Sequence, residues 1–513
     1  MALDGLIIEG EKIERSYQET TTSVGVATSE DIQNYSIYTV NESFSRMANV
    51  RYFSNNGGNN SLQIRGINAD GFGEIANAVP LISVIIDGAT QNREGIRRGS
   101  RGSWDLKQVE VLRGPQSGLY GRAALAGAVV IESNDPTYHW ESAFRASGGS
   151  FEHKSGGIML SGPLVENQVA FRISAEGLDA EKDISYQDSG NSPLGEDQYR
   201  NVRGKLLIEP KAISGLSALF TFSRTYDQPA SSSVSGPNFF KREYNEASLF
   251  TEFREAEVNN FVADVSYAFT DAFKLRSVSA YIDTDLEIGS APASEVFFRD
   301  DLRKGSDFTQ DIRLEINDKN RSGLSGVVGF FYGDFSEHNR SDIQVDPFYY
   351  LTNGAVTGGF LIPFQQGTFE NETQTTALYA DLRQRVFGPW SLIGGLRWQR
   401  DKVSNAADNT ELIGADTTDP FNPIPIYNQD VYDVDETFNV WLPKFGLAFD
   451  IDENQSISAT ARRGYRQGFS ENLFMSTVIN SVDPEFVWTY ELAYRLVSPD
   501  KRLSFGATAF YNR

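Results

Sequence analysis

The chain has 513 residues, with 46 Lys and Arg against 69 Asp and Glu, a net charge of −23 and no cysteine. A chain without cysteine forms no disulfide scaffold and offers no thiolate to bind zinc or attack a substrate, and its 3 histidines lack metal-site spacing. The acidic balance excludes nucleic acid as an expected partner, because phosphate binding requires clustered Lys and Arg. Apolar runs fall short of the ~18 residues of a membrane helix, which leaves spanning by β-strands open.

The first part of the chain, residues 16–135, has the mixed pattern of a compact α+β domain. Residues 29–47 predict two short helices, the first with Ser29 as its N-cap and acidic residues in its first turn. Short apolar runs that predict strands follow at residues 83–87, 109–112 and 128–132.

Beyond Asp135-Pro136 the pattern changes to a two-residue alternation. Val169, Phe171 and Ile173, for example, are separated by Ala170, Arg172 and Ser174, so apolar and polar side chains point to opposite faces of a strand. About fifteen such runs lie between residues 137 and 513. A soluble β-sandwich and a transmembrane β-barrel both alternate in this way, so the pattern leaves both open.

The connections between these runs favour the barrel. Tight turns at residues 270–272, 387–389 and 452–454 alternate with long polar stretches at residues 227–255, 341–370 and 404–435. Short turns at one end and long loops at the other are typical of outer-membrane barrels. Within the last stretch, residues 405–437 carry Asp and Glu but no Lys or Arg, a composition that would suit divalent cations at a lipopolysaccharide surface or a solvated face.

Several motifs resemble those of the TonB-dependent outer-membrane receptors. Residues 109–122 (VEVLRGPQSGLYGR), 62–67 (LQIRGI) and 84–88 (VIIDG) resemble the plug signature of that family, and residues 463–469 and 490–492 resemble its late-barrel pattern. The resemblance implies a mostly β protein: an α+β plug domain, residues 16–135, followed by an antiparallel transmembrane β-barrel, residues 136–513, in the bacterial outer membrane. It also implies a transporter and not an enzyme, without a cofactor or resident metal, in which iron occurs only as chelated cargo.

Strand arithmetic predicts that the barrel is incomplete. Plugged transporters of this kind use about 22 strands, and the runs counted above supply about 15 of them. An open sheet edge has no hydrogen-bond partners in hydrocarbon. The sequence is therefore interpreted as a receptor clipped at its C-terminus, with the signal peptide also absent.

Two groups of residues take functional roles from the resemblance. The N-terminal tail, residues 1–15, holds a segment similar to a TonB box, which would pair as a strand with a TonB-type energising protein; the segment comprises Leu6, Ile7, Ile8 and Glu9. Matching motif positions imply an ionic lock between plug and barrel formed by Arg65, Arg113 and Glu491. The second carboxylate of this lock is not identified from the sequence.

The loops at the top of the plug are the predicted site of cargo binding. Arginine forks suit the oxygen atoms of an anionic iron chelate, and aromatic rings suit a neutral sugar; the candidates are Phe72, Arg93, Arg97, Arg98, Arg101 and Trp104. A ferric siderophore is the expected cargo, with cobalamin or an oligosaccharide as rivals. The expected surroundings are outer-membrane lipid and lipopolysaccharide. A β-rich envelope protein that binds or cleaves carbohydrate, and a non-functional truncated receptor, are the alternative interpretations.

Overall fold

The structure of the protein is a computed structural model. It describes residues 7–54, 60–69, 79–98, 101–182, 184–186, 189–231, 239–244, 252–319, 322–352, 356–416, 418, 424–472, 479–500 and 502–513.

The N-terminal part forms a small α+β domain, called the plug below. Its strands are β1 (Ile7–Ile8), β2 (Arg15–Ser16), β3 (Ser23–Thr28), β4 (Val50–Ser54), β5 (Asn60–Ile64), β6 (Ile67–Asn68), β7 (Ile82–Ile86), β8 (Ala89–Thr90), β9 (Leu106–Arg113) and β10 (Gly127–Ser133). Its helices are α1 (Ser29–Asn34), α2 (Val40–Phe44), α3 (Arg93–Arg98) and α4 (Ser117–Tyr120). The three strands and two helices predicted from the sequence are all present.

The plug is built on a five-stranded sheet in the order β3-β9-β10-β7-β8, beside a three-stranded sheet β4-β5-β6. Strands β10 and β7 are parallel, and the other neighbours in the larger sheet are antiparallel. Strands β7 and β10 are buried on both faces, which explains why their sequences are nearly continuous apolar runs. Ile64, Ile82, Val109 and Val129 lie in the core against α1 and α2.

The start of α1 differs by one residue from the prediction. Thr28, not Ser29, is the N-cap: its side chain accepts from the backbone N–H of Asp31, and the Asp31 carboxylate accepts from the backbone N–H of Thr28. This reciprocal capping box satisfies two N–H groups that a helix start leaves without partners. Ser29 is instead the first residue of the helix, and Thr28 has the extended backbone of an N-cap.

The rest of the described chain forms β-strands, one short helix and two short 3-10 turns. The helix is α5 (Pro347–Leu351), the 3-10 turns span Ser189–Gly195 and Phe239–Lys241, and the strands are β11 (Glu141–Gly148), β12 (Lys154–Val165), β13 (Val169–Glu181), β14 (Ser185–Tyr186), β15 (Glu196–Ile208), β16 (Leu216–Gln228), β17 (Glu243–Tyr244), β18 (Glu252–Thr270), β19 (Phe273–Ser290), β20 (Phe297–Asp318), β21 (Leu324–Val345), β22 (Ile362–Phe387), β23 (Trp390–Asp416), β24 (Ile424–Asp452), β25 (Gln455–Arg466), β26 (Phe469–Asn472), β27 (Ile479–Val482), β28 (Glu485–Val497) and β29 (Ser504–Asn512).

Fifteen of these strands join one sheet, called the barrel wall below. The sheet follows chain order from β11 to β29, leaving out the small pairs β14-β17 and β26-β27. Every neighbouring pair in the wall is antiparallel. This single meander confirms the strand count and the barrel, because a sandwich would divide the strands between two packed sheets.

The wall has its polar face inside and its apolar face outside. On β20 the charged residues Asp311, Arg313 and Glu315 are buried, whereas Phe308 and Ile312 are 40% and 41% exposed. A soluble protein would bury the apolar face instead. The outer face therefore suits hydrocarbon, and the inner face forms a polar lumen that encloses the plug.

The predicted long loop at residues 404–435 is shorter than expected. Strands β23 and β24 continue to Asp416 and from Ile424, through most of the stretch predicted as a loop, so that Asp408 and Asp430 lie on paired strands. These strands have 27 and 29 residues, against the 9 to 11 or so that cross a bilayer. The alternation of apolar and polar residues fades there because both faces of the hairpin carry polar side chains, with Asn405 and Asn409 on the buried face and Ser404 and Asp408 on the other. The three tight turns lie where they were predicted, between paired strands.

Among the described residues, the structure contains no helix that is both long enough and apolar enough to cross a membrane.

Candidate functional site in the plug and barrel lumen

The N-terminal segment, residues 7–12, is folded back onto the plug. Ile7 and Ile8 pair with Ser16 and Arg15, and the Ile8 side chain is fully buried among core residues of the plug. Ile7 is 40% exposed. The TonB-box-like residues that the structure describes are therefore docked as a short strand, with one isoleucine in the core and the other at the surface; Leu6 lies outside the described residues.

Glu110 holds the backbone of this segment. Its two carboxylate oxygens accept from the N–H groups of Glu9 and Gly10, at 2.8 and 3.0 Å. Glu110 is fully buried in the centre of β9. Burial raises the pKa of Glu110 to about 7, against the lowering effect of these two N–H donors. Glu9 also forms an ion pair with Lys107.

Of the three residues predicted to form an ionic lock, Arg65 and Glu491 are in direct contact. The Arg65 guanidinium lies 2.6 Å from Glu491 Oε1, and both side chains are almost fully buried. Arg462 forms an ion pair with the other oxygen of Glu491. Arg113 lies in the same region but donates to Ser23 Oγ at 3.1 Å. Burial lowers the pKa of both Arg65 and Arg113. Within the described residues, the contacts of the lock thus join one carboxylate to Arg65 and Arg462.

Arg462 was not predicted from the sequence as a partner of Glu491, although the alternation of residues along β25 indicated the face on which it lies. Thr460, Arg462 and Gly464 alternate along β25, and Thr460 pairs directly with Glu491 on β28. Arg462 therefore lies diagonally across from Glu491 on the lumen face. Alternation indicates the face, but the pairing register is needed to bring these two side chains together.

Two further anchors join the plug to the barrel wall. Asp87, in the motif of residues 84–88, accepts from the Ser133 N–H at 2.8 Å and lies 3.2 Å from Lys205 Nζ. Asp105 receives hydrogen bonds from the Arg172 guanidinium, including one of 2.9 Å from Nε. Neither carboxylate was singled out in the sequence, because its partner lies on a barrel strand distant in the chain.

The predicted cargo residues occupy different environments. Arg101 lies 2.6 Å from Asp197 and 3.3 Å from Asp227, so it ties the top of the plug to β15 and β16. The Trp104 indole N–H donates to the Ile158 carbonyl at 3.0 Å on β12. Arg93 is buried in α3. Arg97 and Arg98 belong to the same helix, but their side chains lie outside the described residues, as does Phe72.

An upper cavity lies between the plug and the barrel wall, towards the long connections. It encloses about 920 Å³, including space open to solvent, and is lined by Arg93 and Arg122 of the plug and by Arg397, Asn405 and Gln467 of the wall. The Arg122 guanidinium stacks 3.6 Å from the Phe335 ring centre. This cavity combines guanidinium, amide and aromatic groups, which can together hold an anionic organic ligand.

A lower cavity lies towards the short turns. It encloses about 1100 Å³, including space open to solvent, and is lined by Lys12 and Glu132 of the plug and by Lys205, Asp264 and Arg276 of the wall. Burial together with neighbouring Asp87 and Glu9 raises the pKa of Glu132 well above its ordinary value.

In the part of the chain that the structure describes, no cluster of three His, Asp or Glu side chains is arranged to hold a metal ion.

A polar lumen filled by an α+β plug, with buried ion pairs between plug and wall, defines a plugged transmembrane β-barrel. The family model for the TonB-dependent receptor plug domain matches residues 16–128, and the model for the TonB-dependent receptor-like β-barrel matches residues 185–513. The chain belongs to the TonB-dependent receptor family. These receptors are outer-membrane transporters and not enzymes.

Solved structures of siderophore receptors have the same fold. The ferric yersiniabactin uptake receptor from Yersinia pestis is 17% identical with a TM-score of 0.78, and the alignment covers 96% of this chain and 72% of that one. The siderophore receptor PiuA from Acinetobacter baumannii is 15% identical with a TM-score of 0.72, covering 97% of this chain and 73% of that one. At these low identities, the TM-scores show a shared fold and no more.

A curated relative shares a shorter segment at higher identity. The ferrioxamine B receptor of Salmonella typhimurium is 33% identical over 97 residues, which are 19% of this chain. The matched segment spans only 13% of the length of that receptor.

Proposed function

We propose that the protein binds a ferric siderophore from outside the cell and imports it by TonB-coupled rearrangement of the plug. The docked N-terminal segment carries this proposal: Ile8 is buried in the plug core while Ile7 is partly exposed, so a strand able to pair with a partner is stored on the plug itself. The mechanism consists of binding and mechanical displacement. It requires no bond chemistry and no cofactor.

The upper cavity is the proposed cargo site, together with the plug loops above it. Arg93, Arg122 and Arg397 line it, and guanidinium groups suit the carboxylate, catecholate or hydroxamate oxygens around ferric iron. The relatives described above are named for ferric yersiniabactin and ferrioxamine B. Both observations support a siderophore over cobalamin or an oligosaccharide.

The proposed partners follow from three surfaces. A TonB-type energising protein would take up residues 6–9 as an added strand, since backbone pairing tolerates variation in side chains. Outer-membrane lipid would cover the apolar outer face of the wall. Lipopolysaccharide would meet the long β23-β24 hairpin, where exposed acidic residues such as Asp408 and Asp433 lie.

Family membership argues against the alternative of a carbohydrate-active envelope protein. The family models that match this chain are those of TonB-dependent receptors, not of enzymes that act on carbohydrate.

The test is uptake of radioactive iron by cells that carry the intact receptor and no other siderophore receptor. Catecholate, hydroxamate and carboxylate siderophores are supplied separately, with and without the TonB-type protein. We expect one class to bind in both strains and to enter only the strain with the energising protein. Uptake of cobalamin or an oligosaccharide instead would overturn the cargo, and the absence of any uptake would indicate a non-functional receptor.

A further inference from the structure

The upper and lower cavities meet at one thin partition. Three residues line both cavities: Thr90 and Tyr120 of the plug and Phe331 of the wall. Tyr120 ends the short helix α4 and packs against the apolar cluster that contains Phe331 and Tyr379. A small set of side chains therefore separates two spaces that together extend from the long-connection side of the lumen to the short-turn side.

The N-terminal segment reaches into this partition. Lys12 Nζ lies 4.7 Å from the ring centre of Tyr379, 5.2 Å from that of Tyr120 and 5.9 Å from that of Phe331. The same ammonium forms an ion pair with Asp311, which also accepts a 2.8 Å hydrogen bond from the Tyr379 hydroxyl. Lys12 is thus held by three rings and one carboxylate, although burial, with Arg313 and Arg397 nearby, lowers its pKa to about 8.

Tyr120 is held by the same segment through its other end. Its hydroxyl donates to the Gly10 carbonyl at 2.9 Å. Gly10 and Lys12 are two residues apart, and Gly10 is in turn fixed by Glu110. One short stretch of chain therefore positions both the ring of the partition and the ammonium that lies against it.

The geometry points to Tyr120 and Lys12 as a gate between the two cavities, which the docked N-terminal segment keeps closed. This inference rests on the proposed function, because it takes the pull on residues 6–9 as the opening force. Residues 8–12 span at most about 14 Å when fully extended. Pulling Ile8 farther than this from the docked position of Lys12 must withdraw Lys12 from its ring cage and remove the hydrogen-bond acceptor of Tyr120. The freed Tyr120 side chain then no longer separates the cavities.

The gate is tested without cargo and without the energising protein, by the KCl conductance of the intact receptor in planar lipid bilayers. Y120A removes the ring, K12M removes the ammonium but keeps the chain, and Y120F removes only the hydroxyl. K319M is the matched control, because Lys319 pairs with Glu19 at 2.7 Å and lines neither of the two cavities.

We expect Y120A to raise the basal conductance at least tenfold, K12M to raise it less, Y120F to raise it least, and K319M to match the unmodified receptor. Equal conductance in Y120A and the unmodified receptor would overturn the gate. Resistance of each variant to unfolding in detergent, measured by gel mobility before and after heating, shows whether the barrel is intact.

A second experiment tests the gate by the rate of thiol labelling instead of by conductance. The sequence has no cysteine, so Thr309→Cys places one thiol in the wall of the lower cavity. A membrane-impermeant maleimide added outside whole cells should label this thiol slowly in the closed receptor and several times faster when Y120A or K12M is also present. Unchanged labelling in both would contradict the gate.

The outcomes also separate this inference from the proposed function. Leak and faster labelling without uptake of any siderophore would support the gate and reject the cargo assignment. Normal TonB-dependent uptake in Y120A, with neither leak nor faster labelling, would reject the gate and leave the transport function standing.

Discussion

Arg65 of the plug and Glu491 of the barrel wall form an ion pair of 2.6 Å in which both side chains are at least 98% buried. Arg462 shares the same carboxylate from within the wall. Two buried cations therefore share Glu491, so this carboxylate is the centre of the ion-pair cluster.

We expect Glu491→Gln to destabilise the folded receptor more than Arg65→Met. The first change leaves two buried guanidiniums without a counter-charge, and breaking a buried pair by removing one partner costs about 3–5 kcal/mol. The second leaves Glu491 paired with Arg462. Thermal unfolding of the three proteins in detergent, followed by circular dichroism, provides the comparison.

The matched control for this prediction is Glu257→Gln. Glu257 pairs with Arg224 at 2.8 Å, but their side chains are 39% and 57% exposed. Such an exposed pair contributes about 0–1 kcal/mol. Equal effects of the changes at Glu491 and Glu257 would show that the lock contributes no more than a surface pair.

A second prediction concerns coupling through the N-terminal segment. Ile7→Pro removes the backbone N–H that a docking strand would donate and should abolish uptake. Because Ile7 is 40% exposed whereas Ile8 is fully buried, the change should leave the plug and cargo binding intact. Ile7→Val keeps a β-branched residue and should transport normally. Uptake by the proline variant at the unmodified rate would place the docking strand elsewhere.

A third prediction follows from the buried carboxyl of Glu110, whose pKa is raised from 4.5 to about 7. Protonation therefore favours the packed plug. The contribution of protonated Glu110 to the folding free energy of the plug is complete below pH 4.5 and is lost as the pH rises through about 7. This change is on the order of 3 kcal/mol. Amide hydrogen exchange of residues 7–13, corrected for the intrinsic rate, should accelerate between pH 5 and pH 8.

The charged groups that interact with Glu110 are Glu9 and Glu11, which both add to its raised pKa. Glu110→Gln should remove most of the pH dependence. Glu30→Gln is the control, because Glu30 is exposed in the first turn of α1; Glu11, paired with Arg15, has its pKa lowered to about 2 and stays ionised throughout this range. If the glutamine at position 110 left the pH dependence unchanged, another group would be responsible for it.

The alternation of the sequence predicted the wall well because its two faces meet opposite environments. Phe308 faces outward and Asp311 inward on β20 for this reason. Where the β23-β24 hairpin extends past the length that crosses a bilayer, both of its faces carry polar residues, so the pattern did not distinguish strand from loop. The periodicity of the sequence therefore predicted that these strands exist, but not how long they are.

The contacts across the lumen were beyond the sequence for a different reason. Periodicity shows that Arg462 faces inward, but not that Glu491 lies beside it. Lys12 belongs to the N-terminal tail, whose sequence gives no sign of contact with the barrel. Its ammonium nevertheless lies against Tyr379 of the wall, 367 positions away by their residue numbers. Such contacts depend on how the plug is rotated inside the barrel, which local patterns do not encode.

The last prediction concerns the charge of the cargo. Arg97 and Arg98 belong to α3, whose residue Arg93 lines the upper cavity. If the cargo is an anionic iron chelate, replacing Arg97 and Arg98 together by alanine should weaken binding at least about tenfold, a loss of ~1.4 kcal/mol. The loss should grow at low salt, where charges are less screened.

The control removes the same charge from Arg200 and Arg340, which are exposed on the barrel wall. Titration of the cargo at two salt concentrations measures both effects. A neutral sugar held by aromatic stacking would bind with the same affinity in every protein and at either salt concentration, and that result would reject the anionic cargo while leaving the transporter intact.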